Sequence, residues 1–196
     1  TYTKLIKFVF PSVMMMVFTS VYGMVDGLFV SNFAGKTPFA AINLIWPLIM
    51  LLGALGFMIG TGGTAIVAKT MGEGEKEKAN RYFSMLVYAT VIGGTIIAAI
   101  GWFLLRPVSM LLGAEGAMVE DCVLYGRIIC AALPFFMLQN VFQSFFVTAE
   151  KPKLGLFVTI GAGVANMVLD ALFIAVFGWG LAGAAAATGI SQLVGG

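Results

Sequence analysis

Histidine is absent from all 196 residues, and that absence removes two large classes of hydrolase. Neither a serine activated by imidazole nor the His-Glu-x-x-His zinc site of metalloproteases can be built here. Cysteine is almost as scarce. Cys122 and Cys130 fall eight residues apart on one expected helix, about 12 Å along its axis and out of disulfide range, so they read as packing residues. Charge is the third shortage. Charged residues make up 10% of the chain and hydrophobic residues 60%, against about 25% and 45–50% in an ordinary soluble domain. No soluble core hides that much apolar surface. A net charge of +2 leaves no electrostatic footprint for nucleic acid.

What the chain does have is long apolar runs. Crossing the hydrocarbon takes about 20 mainly apolar residues in a helix, and six stretches qualify: 6–30, 39–67, 82–105, 123–148, 154–176 and one opening at Leu181. The last covers only about 24 Å of a core about 30 Å thick, so the sixth helix reads as truncated and the chain as a fragment. The expected fold is an all-α integral membrane protein, a six-helix bundle forming one domain over residues 1–196. The first stretch is full length and carries Pro11 and Asp26, which marks it as a mature transmembrane helix and not a cleaved signal peptide.

The basic residues orient the bundle. With a cytoplasmic N-terminus the inner segments hold Lys4, Lys7, Lys69, Lys76, Lys78, Arg81, Lys151 and Lys153, and the outer ones only Lys36, Arg106 and Arg127, as the positive-inside rule requires. Trp102 and Trp179 then fall at outer interfaces, whereas Trp46 fits the belt less well. Residues 69–81 are expected to form a cytoplasmic loop or surface helix with Glu and Lys spaced to pair, and residues 106–121 the longest external segment.

Two carboxylates stand apart from this pattern. Asp26 and Asp170 lie deep inside membrane-length stretches, in nearly the same local phrase, Val25-Asp26-Gly27-Leu28-Phe29-Val30 and Leu169-Asp170-Ala171-Leu172-Phe173-Ile174. A charge near the bilayer centre costs about 2.5–3.5 kcal/mol on insertion scales and normally faces a protein interior or aqueous cavity. Both should lie in the outer third of the membrane. Asn166 precedes Asp170 by one helical turn, and Thr188 and Tyr125 enter the same layer from helices six and four. Carboxylate, amide and hydroxyl oxygens suit a hard cation such as Na⁺, and paired carboxylates in low dielectric share protons. The alternative role for these groups is interhelical hydrogen bonding alone.

Taken together, Pro11 to Gly35, the Pro47 region, the Gly60-Thr61-Gly62-Gly63 run with its charged successor, and Asn166-Met167-Val168-Leu169-Asp170 resemble the N-terminal lobe of the multidrug and toxic compound extrusion (MATE) transporters, DinF-like branch. The resemblance covers essentially the whole chain. It implies one lobe of a twelve-helix, pseudo-two-fold transporter in the inner (plasma) membrane. Its partners would be the lipid bilayer, small organic and often cationic substrates, and a missing C-terminal lobe or a second copy of the chain. It further implies exchange of substrate for H⁺ or Na⁺ as the coupling ion, with no other cofactor, and a cation site of Asp26, Asn166, Asp170, Thr188 and Tyr125. The first four would hold Na⁺ if Na⁺ is the ion.

Several other features have two readings. Pro11 removes a helix hydrogen bond and makes either a hinge or a tolerated local bend. Gln139, Asn140, Gln143 and Ser144 form a polar stripe that either lines a substrate path or ties helices together. Gly53, Gly56 and Gly60 share a helix face and point to close packing. The glycine run lacks the Lys-Ser/Thr of a phosphate loop, which excludes ATP binding. Two rival functions remain: a lipid-linked oligosaccharide flippase of related architecture, which tends to need a basic cavity, and an intramembrane aspartyl protease, whose Gly-x-Gly before the second aspartate is replaced here by Val168-Leu169.

Overall fold

The structure, a computed structural model, describes residues 2–149 and 151–195. Helix α1 (Tyr2–Phe29) continues without a break into a π-helical segment (Val30–Ala34). Three very long helices follow: α2 (Lys36–Gly72), α3 (Lys76–Leu111) and α4 (Ala117–Thr148). Helix α5 (Pro152–Asp170) likewise runs into a π-helical segment (Ala171–Val176), and α6 (Gly180–Gly195) ends the described chain. The first five, with their π-helical extensions, are long and apolar enough to cross a membrane.

The helices overrun the expected spans, and the long connections shrink accordingly. Residues 69–81 fold as the end of α2 and the start of α3, with Glu73, Gly74 and Glu75 between them. Of the loop and the surface helix expected there, the helix is the one observed. The reason is local: Lys, Glu and Ala favour helix, and the stretch carries a 4.0 Å Lys69–Glu73 pair at i,i+4 and a 2.8 Å Lys78–Glu75 pair. The connection over residues 106–121 contracts in the same way to residues 112–116, with Arg106 and Glu120 bridging the two helices at 3.0 Å. A helix of 36 residues is about 54 Å long, so its ends rise clear of the hydrocarbon.

Helix α4 is the axis of the bundle, packed against α2, α3 and α6, while α1 sits at the periphery and leans on α5. Close approach of α2 to α4 depends on glycine. A Cβ on Gly53 would come 2.5 Å from the Phe136 ring, one on Gly56 2.9 Å from the Met137 Cα, and one on Gly60 3.0 Å from Ser144 Oγ. The expected packing face is therefore the observed one. One apolar cluster gathers Ile45, Ile49, Leu105, Cys122, Ile129 and Cys130 among others, and a second forms at the opposite end around Val67, Val141 and Phe145. Both cysteines are buried free thiols.

The internal repeat survives as geometry. Gly35 N–H donates to Val30 O at 3.2 Å and Phe177 N–H to Leu172 O at 2.9 Å, the i→i+5 pattern of a π turn. Phe29 stacks on Phe33 and Phe173 on Phe177. Val30 and Ile174 then meet Ala184 of α6 in a small buried cluster. Each segment is stopped by glycine at positive φ, Gly35 at 106° and Gly178 at 67°, a region that disfavours any residue with a Cβ.

Candidate ion site

A buried polar atom without a partner costs about 1–3 kcal/mol, so such atoms are few in a folded protein and mark special places. Among the described residues the unpartnered buried side-chain atoms are Asp26 Oδ1, Tyr125 OH, Asn166 Nδ2, both carboxyl oxygens of Asp170, Thr188 Oγ1 and Gln192 Oε1. Five of these six residues are the ones singled out from the sequence.

Their placement follows from the helices. Asp26 stands on α1 about one turn before its π segment and Asp170 ends α5 immediately before the other, and their carboxyl groups lie close enough to interact. Two ionised carboxylates have no donor to offer each other, and neither Asp170 oxygen has a hydrogen-bond partner among the described residues. Tyr125 is fully buried on α4. Its hydroxyl lies within the field of both carboxyls and faces Thr188 of α6 without reaching hydrogen-bond geometry. Asn166 is 2% exposed and one turn before Asp170, on the same face of α5. Four helices thus deliver carboxylate, amide and hydroxyl groups to one layer.

Two residues were missed in the sequence. Gln192 lies one turn beyond Thr188 in an Ala- and Gly-rich helix, and that periodicity was the available signal. Tyr22, one turn before Asp26, is close enough to feel its charge. With Phe18 it packs over Gly163 of α5, where a Cβ would come 2.5 Å from Phe18 and 3.0 Å from Tyr22. This contact draws α1 onto α5 beneath the two carboxylates.

The carboxylates differ in access. Asp170 is wholly buried. Asp26 is half-buried and lines a cleft of about 630 Å³ between α1 and α2, together with Gly27, Ser31, Asn43 and Trp46.

The remaining candidates lie elsewhere. Pro11 is in the interior of α1, fifteen residues before Asp26. On the polar stripe, Asn140 donates to Phe136 O at 3.0 Å, Ser144 to Asn140 O at 3.0 Å, and Gln143 to Thr159 Oγ1 of α5 at 3.1 Å. Gln139 lies against Gly195 of α6. The stripe is largely engaged in tying α4 to itself and to its neighbours.

The chain is similar to a multidrug export protein, MepA, of Staphylococcus saprophyticus, at 26% identity over 89% of this chain and 39% of that protein. A probable multidrug resistance protein of Bacillus subtilis, YoeA, is 26% identical over 95% of this chain and 41% of its own length. Crystal structures of a MATE in straight and bent conformations each align at TM-score 0.89 and 26% identity, covering 97% of this chain and 42% of theirs. The chain therefore spans about two fifths of the length of the proteins it matches, and its fold is that of one lobe of a MATE transporter. A family model described as MatE matches residues 11–172, and the chain belongs to that family.

Proposed function

We propose that this chain supplies the N-terminal lobe of a cation-coupled exporter of small organic compounds, in which Asp26, Asn166, Asp170, Thr188 and Tyr125 hold H⁺ or Na⁺. The observation that carries this reading is the convergence of buried, unpartnered polar atoms on that one set of residues. In the proposed cycle the ion enters by the α1–α2 cleft, meets Asp26 first and is shared with Asp170. Neutralising the pair relieves two facing acceptors and changes how tightly α1 sits on α5. As the outermost helix, α1 moves with the least repacking, and Pro11 gives it a bend point. Substrate leaves as the lobe rearranges, driven by about 2.3 kcal/mol per charge per 100 mV and by the concentration gradient. The plasma membrane, a cytoplasmic N-terminus and a second lobe are part of the same proposal.

The oligosaccharide-flippase reading needs a basic cavity for phosphate. The carboxyl pair and the Asp26-lined cleft favour a cation instead.

The test is drug efflux from vesicles of the full-length protein, with Na⁺ and pH gradients imposed one at a time. Wild type should respond to one gradient, and Asp170→Asn, which keeps the shape but cannot cycle its charge, should fall to background. Full efflux from a correctly inserted Asp170→Asn protein overturns the site.

A further inference from the structure

We propose that the groove between α3 and α4 is a binding site for a single anionic phospholipid, with its phosphate on Arg127 and one acyl chain along the groove. The groove has a volume of about 570 Å³ and an almost wholly apolar lining, including Val91, Thr95, Trp102, Ala131, Pro134 and Leu138. Arg127, Ala131, Pro134 and Leu138 follow one another at helical spacing down one face of α4, and Trp102, Thr95 and Val91 do the same on α3. From Arg127 to Leu138 the wall is about 16 Å long. That is about half of a 30 Å hydrocarbon core, the depth of one leaflet.

The mouth is where specificity arises. Arg127 is exposed, and its guanidinium lies 5.3 Å from the centroid of the Trp102 ring. The ion pairs among the described residues are Lys69–Glu73, Lys78–Glu75 and Arg106–Glu120, so Arg127 meets no carboxylate. Cation–π attraction to the indole holds the guanidinium at the mouth of the groove and leaves N–H groups free to donate. A phosphodiester accepts such donors in bidentate fashion. Trp102 also fits the interfacial depth at which headgroups lie. A cation presented at the headgroup level above an apolar groove one leaflet deep matches the two halves of a phospholipid.

The same face has two other possible occupants: annular lipid held without regard to headgroup, and further polypeptide of the full-length protein. The experiment separates them. Purified full-length protein is titrated in detergent with phosphatidylglycerol or with diacylglycerol carrying the same acyl chains, and retained lipid is counted by native mass spectrometry. Wild type should retain phosphatidylglycerol about tenfold better than diacylglycerol, as expected for one charge-assisted contact. Arg127→Gln should abolish that preference, Arg127→Lys should keep part of it, and Ala131→Phe, which fills the groove at an exposed position, should lower retention of both lipids. Unchanged thermal unfolding of the variants excludes a folding defect. Equal retention of the two lipids by wild type, wild-type behaviour of Arg127→Gln, or no retained lipid at all overturns the proposal.

Discussion

Asp26 and Asp170 occupy matching places in a repeated phrase, each one residue after an aliphatic side chain and followed within about one turn by a π-helical segment beside a stacked phenylalanine pair. They nonetheless differ in surroundings. Asp26 borders a cleft, because α1 is at the edge of the bundle and covers only one side of its own carboxylate. Asp170 has no exposed surface, because α5 is held between α1 and α6. The repeat sets where along its helix each carboxylate falls, whereas position in the bundle sets access. In the proposed cycle this makes Asp26 the entry and Asp170 the deeper holder of the ion.

Access offers the largest expected difference. With Cys122→Ala and Cys130→Ala removing both native thiols, Asp26→Cys should react with a membrane-impermeant thiol reagent on the order of a hundredfold faster than Asp170→Cys, since reactivity follows exposure. Equal labelling rates would break the comparison. A smaller effect sharpens it. Asn166→Ala removes the unpartnered amide one turn from Asp170 and should weaken ion affinity about tenfold in binding to the purified full-length protein. Gln139→Ala, on the stripe of α4, should stay within about twofold. Comparable losses at both positions would reduce the site to a scaffold.

The smallest effect concerns how α1 is held against α5. Gly163→Ala places a methyl group against Phe18 and Tyr22 and should cost about 1–3 kcal/mol through overpacking, seen as a fall in Tm of a few degrees. Gly161→Ala, two residues away with no atom within 4 Å of the added Cβ, should be neutral or slightly stabilising because alanine is the better helix former. A drop of equal size at both glycines would show that the close contact is not what positions α1.

The structure also shows where sequence reasoning ran short. Five of the six residues whose buried polar atoms lack partners stood out in the sequence because polar groups at helical spacing interrupt its apolar runs. Gln192 lay on the same periodicity beyond Thr188 and was passed over. The helix ends at residues 106–121 were misjudged, and at 69–81 the loop and the surface helix could not be told apart, since hydropathy marks the lipid-facing part of a helix and says nothing about the solvated turns that continue it. The π segments were not visible at all. Their i→i+5 bonding depends on side chains such as Val30 and Ile174 finding a common seat on Ala184, and that contact joins three separate helices.

By itself the sequence determined that the chain lives in a membrane, how many helices it brings, where along them its carboxylates fall and its kinship to a transporter family. Those properties are one-dimensional: transfer free energy and helical rise are both counted along the chain. Only the tertiary structure decided that Asp26 and Asp170 come together, that one borders a cleft while the other is sealed, and that Arg127 sits over Trp102 beside an apolar groove. Each of these depends on which helix stands beside which, and that was settled by small residues such as Gly53, Gly56 and Gly163, whose missing side chains let particular backbones close to contact distance.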